Sequence, residues 1–132
     1  MPKKILIIED DANVMHSLGA QFRVGGFEVS FSDGTDFIGS LIAKIKVDKP
    51  DYIVLDLVLP NMDGFELLNR IKADEDIFIT PVFVFSDMSD ADVRARCHNL
   101  GADYYFLKEE LNIDEFVAKV KKIIQNRSKL ND

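Results

Sequence analysis

The sequence predicts an α/β domain: a doubly wound, five-stranded parallel sheet with five alternating helices. Two observations carry that expectation. Short apolar runs recur five times along the chain, and each is followed by a stretch whose apolar residues return every three or four positions. A helix between successive strands makes each connection a crossover, so the strands it joins run parallel. The length of 132 residues suits one such domain, and no repeat, low-complexity tract or linker divides it. We read residues 1–126 as the domain and 127–132 as a C-terminal tail, with fraying from Asn126 onward.

The first strand is Lys4 to Ile8. Asp11 then stands where a helix N-cap belongs, and Val14, Leu18 and Phe22 share one helical face. Gly25-Gly26 stops that helix. Phe27 to Phe31 alternates apolar and polar residues, as a second strand would, and Ser32-Asp33 reads as a turn and cap for the next helix. Phe37, Ile38, Leu41, Ile42 and Ile45 give that helix its buried stripe. Ile53-Val54-Leu55 is apolar without alternation, the mark of a strand covered on both faces; Asp56 ends it and Pro60 breaks the run. Asp63 and Glu66 have capping-box spacing ahead of Leu67, Leu68 and Ile71. Pro81 opens the fourth strand, Val82 to Phe85, where a missing N–H costs little. Ser89 with Asp92 predicts a further cap, Val93, Cys97 and Leu100 the helix face, and Gly101 its end. Asp103 to Leu107 is the fifth strand. Asn112 and Glu115 cap a last helix with the stripe Phe116, Val117, Val120, Ile123 and Ile124.

Composition narrows the function. Hydrophobic residues make up 47% of the chain and charged residues 30%, as in a globular protein with a solvated surface. No apolar run reaches membrane-spanning length. Only Ile5 to Ile8 separate the basic Lys3-Lys4 from Glu9, too little for a signal-peptide core. The lone cysteine, Cys97, forbids an internal disulfide and suits a reducing compartment, so a cytoplasmic location is expected. With a net charge of −7 and no basic cluster beyond Lys119, Lys121 and Lys122, direct nucleic-acid binding is not expected. His16 and His98 are isolated and have no ligand partners.

In doubly wound sheets, ligands collect outside the carboxyl ends of the strands. Four of the five ends here carry chemistry: Glu9-Asp10-Asp11, Asp56, Ser86-Asp87 and Lys108. Glu9, Asp10 and Asp56 brought together would repel one another, with raised pKa values, or would hold a cation. Three hard oxygen donors without histidine or cysteine favour Mg²⁺ over zinc. Lys108 adds a point charge for a phosphoryl group and Ser86 a donor, so the set suits phosphoryl transfer. Singly, each has a plainer reading. Asp11 and Asp63 are helix caps, Asp87 belongs to a loop, and Glu9 alone would be a solvated acid or an outer-sphere ligand.

Taken in order, these motifs resemble the receiver domain of two-component response regulators. The matching residues are Glu9-Asp10 after Ile5 to Ile8, Asp56 followed by Leu59-Pro60-Asn61-Met62-Asp63-Gly64, Ser86 after Val82 to Phe85, and Lys108 after Gly101 to Tyr105. The similarity runs from Lys3 to about the end of the last helix, and implies a flavodoxin-like (βα)5 fold. It implies that Asp56 accepts a phosphoryl group from a phosphohistidine on a histidine kinase or histidine phosphotransfer protein. Glu9, Asp10, Asp56 and the backbone carbonyl of Val58 would bind Mg²⁺, with Mn²⁺ able to substitute. Ser86 would hydrogen-bond the phosphoryl group, Lys108 would pair with it, and Tyr105 matches the aromatic whose rotamer reports the phosphorylated state. The implied output is a protein-binding surface around the fourth helix, fifth strand and fifth helix. A downstream protein target would read that surface, and a phosphorylation-dependent homodimer could form through it. Such a stand-alone module is a switch with slow autodephosphorylation rather than a multiple-turnover enzyme. The chain departs from the family in two places. Glu109-Glu110 follows Lys108 where a proline, often cis, is usual, and Ser86 replaces the commoner threonine.

Two other classes compete. A phosphatase or phosphotransferase of the haloacid dehalogenase type usually carries a second aspartate two residues after its nucleophile, where this chain has Val58. A flavodoxin-like cofactor carrier needs a phosphate cradle after the first strand, and Glu9-Asp10-Asp11 would repel phosphate there.

Overall fold

Residues 2–131, which the computed structural model describes, alternate strand and helix from end to end. In chain order the elements are β1 (Lys4–Ile8), α1 (Ala12–Val24), β2 (Glu28–Ser32), α2 (Ile38–Asp48), β3 (Tyr52–Leu55), α3 (Gly64–Ala73), β4 (Val82–Ser86), α4 (Ala91–Asn99), β5 (Tyr104–Leu107) and α5 (Ile113–Asn131). The strands form one parallel sheet in the order β2-β1-β3-β4-β5. This is the expected doubly wound architecture. Its switch in strand order falls between β1 and β3, whose carboxyl ends carry Glu9 and Asp56.

The period-two alternation of the strands sorts the core into two layers. Leu6, Ile8, Ile53, Leu55, Val82 and Val84 face α2, α3 and α4, packing on Leu41, Ile45, Leu67, Leu68, Ile71 and Cys97. Ile5, Ile7, Val54, Phe83 and Phe85 face α1 and α5, packing on Leu18, Phe22, Phe116, Val117, Val120 and Ile124. Phe85 and Phe116 stack at 3.9 Å between ring centroids. β3 is buried along its whole length. That is why its run lacks alternation.

Local signals behave as elementary chemistry requires. The Asp11 carboxylate accepts from the amides of Asn13 and Val14 at the start of α1. Asn112 and Glu115 cap α5 reciprocally, each side chain accepting from the other's amide at 2.8 and 3.1 Å. Gly101 closes α4 with φ of +99°, a conformation that side chains resist.

Several details differ from the sequence reading. β2 is displaced by one residue, Glu28–Ser32, in register with Lys4–Ile8. Phe37 is not part of the buried stripe of α2. It is the N-cap of that helix, 84% exposed and without a side-chain cap hydrogen bond. Asp33 makes the expected turn, accepting from the Thr35 amide and hydroxyl, and so does not reach α2. Asp90, not Ser89, caps α4 by accepting from the Asp92 amide. Glu66 does not close the capping box at Asp63; it pairs with Arg70 one turn on. α5 continues to Asn131, through the described part of the segment read as a tail, because no glycine or proline stops it. No peptide bond among the described residues is cis, so the bond from Lys108 to Glu109 is trans.

Candidate functional site

Register brings the site together. Ile8 pairs with Leu55 across β1 and β3, and the Asp56 amide donates to the Ile8 carbonyl at 2.9 Å. The first residues past the two strands, Glu9 and Asp56, therefore emerge side by side. On the far side Ser86 pairs with Leu107, and the Lys108 amide donates to the Ser86 carbonyl at 2.9 Å. Lys108 leaves β5 pointing back across the sheet end. Its ammonium lies 2.5 Å from Glu9 Oε1 and 3.4 Å from Asp56 Oδ2.

Both carboxylates are desolvated: Glu9 is 2% exposed and Asp56 6%. Asp10 stays exposed, yet an oxygen from each of Glu9, Asp10 and Asp56 falls within a 4.8 Å cluster. Burial, and next the hydrogen bond with Asp56, push the Glu9 carboxyl up to about 8, although Lys108 pulls it down. Burial alone would lower the Lys108 ammonium, but Glu9 and Asp56 outweigh it and hold it above its ordinary value. Two buried acids thus share one lysine, with a third acid at the rim. This donor set fits a hard divalent cation, which would supply the missing positive charge through oxygen ligands alone. Glu9 is more deeply enclosed than a solvated acid at a strand end, because Lys108 and Asp56 cover it.

Ser86 is fully buried, and its hydroxyl accepts from the Met88 amide at 3.1 Å. The Tyr105 hydroxyl donates to the Met88 carbonyl, and the Arg94 guanidinium lies 5.2 Å from the Tyr105 ring centroid. Burial, first of all, raises the Tyr105 phenol above its ordinary value. The β4–α4 loop is therefore held from both sides by the serine and the tyrosine singled out in the sequence. Val58 leaves its side chain 54% exposed while its amide donates to Asp56 Oδ1 at 3.3 Å. Asp87, Glu109 and Glu110 are exposed on the adjoining loops.

Two structural supports, one beside the site and one at the opposite end of the sheet, were not visible as such in the sequence. Gly64, the last residue of the motif that follows Asp56, is the first residue of α3, and a Cβ there would lie 2.3 Å from the Leu57 carbonyl oxygen and 2.5 Å from Leu57 Cα. The bridge between Val58 and Asp63 closes the same loop. Gly64→Ala is expected to cost about 1–3 kcal/mol by overpacking, read as a lower urea midpoint at an unchanged slope. An unshifted midpoint would mean that the loop yields freely. Lys72 on α3 bonds the carbonyls of Phe78 and Thr80 at 3.1 and 2.8 Å and Asp103 Oδ2 at 2.8 Å, tying α3 to the start of β5. Nothing in a helical lysine's sequence context signals this.

Among the described residues no helix is long and apolar enough to cross a membrane. The response regulator receiver domain family model matches residues 5–121. The transcriptional regulatory protein PrrA of Mycobacterium bovis is 35% identical over 126 residues, covering 94% of this chain and 51% of PrrA. The chain spans about half the length of the curated relatives it matches. Among solved structures, a CheY-like receiver domain protein from Methanospirillum hungatei superposes with a TM-score of 0.82 at 25% identity, covering 98% of both chains. The phosphorylated cyanobacterial phytochrome response regulator RcpA gives 0.75 at 26% identity, covering 93% of this chain and 91% of its own.

Proposed function

This chain belongs to the response regulator receiver domain family of two-component signalling, and on that premise we propose that it is a phospho-acceptor switch working through Asp56. The observation that carries the reading is the pair of buried carboxylates, Glu9 and Asp56, sharing Lys108 at the switch point of the sheet. The phosphorylated state of RcpA, a relative of the same fold, supports it.

Receiver domains bind Mg²⁺ at an acidic pocket, and here Glu9, Asp10, Asp56 and the Val58 carbonyl would hold the ion, Mn²⁺ being able to replace it. When bound, the ion supplies positive charge against the oxygens of the incoming phosphoryl group. An Asp56 carboxylate oxygen forms the new O–P bond while the P–N bond of a partner phosphohistidine breaks. The imidazole departs with the electron pair, neutral because its other nitrogen carries a proton. Lys108 stays charged and pairs with the new phosphoryl oxygens, as it now pairs with Glu9 and Asp56. Ser86 donates its hydroxyl hydrogen to the phosphoryl group, a donor its bond from the Met88 amide leaves free, and Tyr105 then follows.

The donor would be a histidine kinase or histidine phosphotransfer protein. The readout would be a protein target, or a second copy of the chain, on the α4–β5–α5 surface. The relatives carry names of transcriptional regulators; for the described residues of this chain the partner is a protein rather than nucleic acid, since no basic cluster stands beyond Lys119, Lys121 and Lys122. The protein acts as a switch rather than through sustained turnover, and a cytoplasmic location suits such a partner.

Incubation with Mg²⁺ and acetyl phosphate, followed by intact-mass measurement, tests the reading. The expected result is a labile gain of one phosphoryl group that disappears in Asp56→Ala and on chelation of the metal. A gain that persists in Asp56→Ala, or steady phosphate release from many monoesters, would overturn it.

A further inference from the structure

The charge of this molecule is unevenly placed. The five segments that leave the carboxyl ends of the strands, residues 9–11, 33–37, 56–63, 87–90 and 108–112, hold eleven acids and a single cation, Lys108. Their net charge is −10, while the rest of the chain, with twelve acids and fifteen cations, is +3. Lys108 is already engaged by Glu9 and Asp56. The other nine acids are all exposed, and none of them takes part in an ion pair among the described residues. Among the described residues nothing donates a hydrogen bond to the carboxylates of Asp36, Asp87, Glu109 and Glu110, so no local capping duty explains them.

This face is also the approach to Asp56, whose side chain is only 8% exposed at its floor. Beside it, Val58 offers an apolar side chain 54% exposed. A folded partner covers such a surface; a small phosphodonor does not. A field of one sign around a cleft attracts opposite charge and repels like charge, and changes association rates by about 10- to 1,000-fold at low salt.

We infer that the phosphoryl donor of this domain is a protein whose phosphohistidine is ringed by lysine and arginine, and that the acidic rim selects it over anionic donors. The inference rests on the acceptor reading of Asp56 and adds the chemistry of the partner surface. The rim therefore acts twice. It speeds encounter with a basic partner, and it holds back phosphorylated metabolites and acidic donor proteins that would otherwise set the switch without a signal.

Two synthetic phosphohistidine peptides test this, identical except that lysines flank the histidine in one and glutamates in the other. Phosphotransfer to the full chain is followed by intact mass under saturating Mg²⁺, at about 0.01 M and about 1 M salt, where the screening length falls from about 30 Å to about 3 Å. The lysine-flanked peptide is expected to react at least about tenfold faster at low salt, with the gap closing at high salt. In the variant Asp36→Asn/Asp87→Asn/Glu109→Gln/Glu110→Gln the low-salt ratio is expected to shrink several-fold. Equal rates for the two peptides at low salt, or a ratio that the variant leaves unchanged, would overturn the inference while leaving Asp56 an acceptor. No transfer from either peptide or from acetyl phosphate would overturn the acceptor reading, and the inference with it.

Discussion

Lys108→Met is expected to cost the metal-free domain about 3 kcal/mol of stability at about pH 9, and distinctly less at about pH 5. Methionine keeps the length and the apolar stem of lysine, so the loss is of charge rather than of packing. That charge sits 2.5 Å from one buried carboxylate and 3.4 Å from another. Removing one partner from a buried ion pair leaves the other charge desolvated and uncompensated, which is where the cost arises. At high pH the mutation removes the cation that favours the ionised form of Glu9, so the buried carboxyl must either stay charged without compensation or take up a proton. At low pH Glu9 is already protonated, since its carboxyl titrates at about 8, and only the contact to Asp56 is lost. Urea unfolding in chelator at the two pH values measures the difference. Equal costs at both would show that Glu9 does not respond to the lysine. Added Mg²⁺ is expected to recover part of the loss, because an ion that binds only the folded state stabilises it.

The wild-type domain without metal is expected to lose stability as pH rises from about 5 to about 8, by on the order of a few kcal/mol. Unfolded, the Glu9 carboxyl ionises near its ordinary value of 4.5; folded, it holds its proton to about 8. Between those values the native state binds more protons than the unfolded one, so each step up in pH favours unfolding. Above about 8 both states are ionised at this position and the effect levels off. Lys108 acts in the same direction, but only beyond its ordinary range, since its ammonium is raised and stays charged throughout this window. Glu9→Gln removes the titrating group and is expected to flatten the profile while raising stability at high pH. A profile that remains steep in Glu9→Gln would assign the protons to another group. Stability sacrificed in this way is common at functional sites, and the repulsion that weakens the fold here is what would attract a cation.

The fold was nearly all legible in the sequence. Element type and order follow from periodicity, and β1 matches its expected bounds residue for residue. What escaped lies at the ends of elements, where several residues compete for one role. Asp33 looked as suitable a cap for α2 as any, but its carboxylate is taken by Thr35. Phe37 fits the helical period of α2 as well as Leu41 does. Only the position of the helix start, outside the core, leaves its ring in solvent. α5 overran its expected end because a stop signal was absent, and absence of a signal is weak information about where a helix frays.

The members of the site were legible too, since strand ends in a doubly wound sheet are the places where unlike chemistry gathers. By itself the sequence determined that three acids, a serine and a lysine stand at those ends, each set there by the residue count of its own strand. Only the tertiary structure decided how they meet: that Lys108, from the far edge of the sheet, reaches Glu9 more closely than Asp56, that Glu9 is sealed from water, and that Gly64 lets α3 press on Leu57. The physical reason is that periodicity is a local property of the chain. Desolvation and close approach are set by atoms arriving from elsewhere in the sequence, 99 residues away in the case of Lys108 and Glu9.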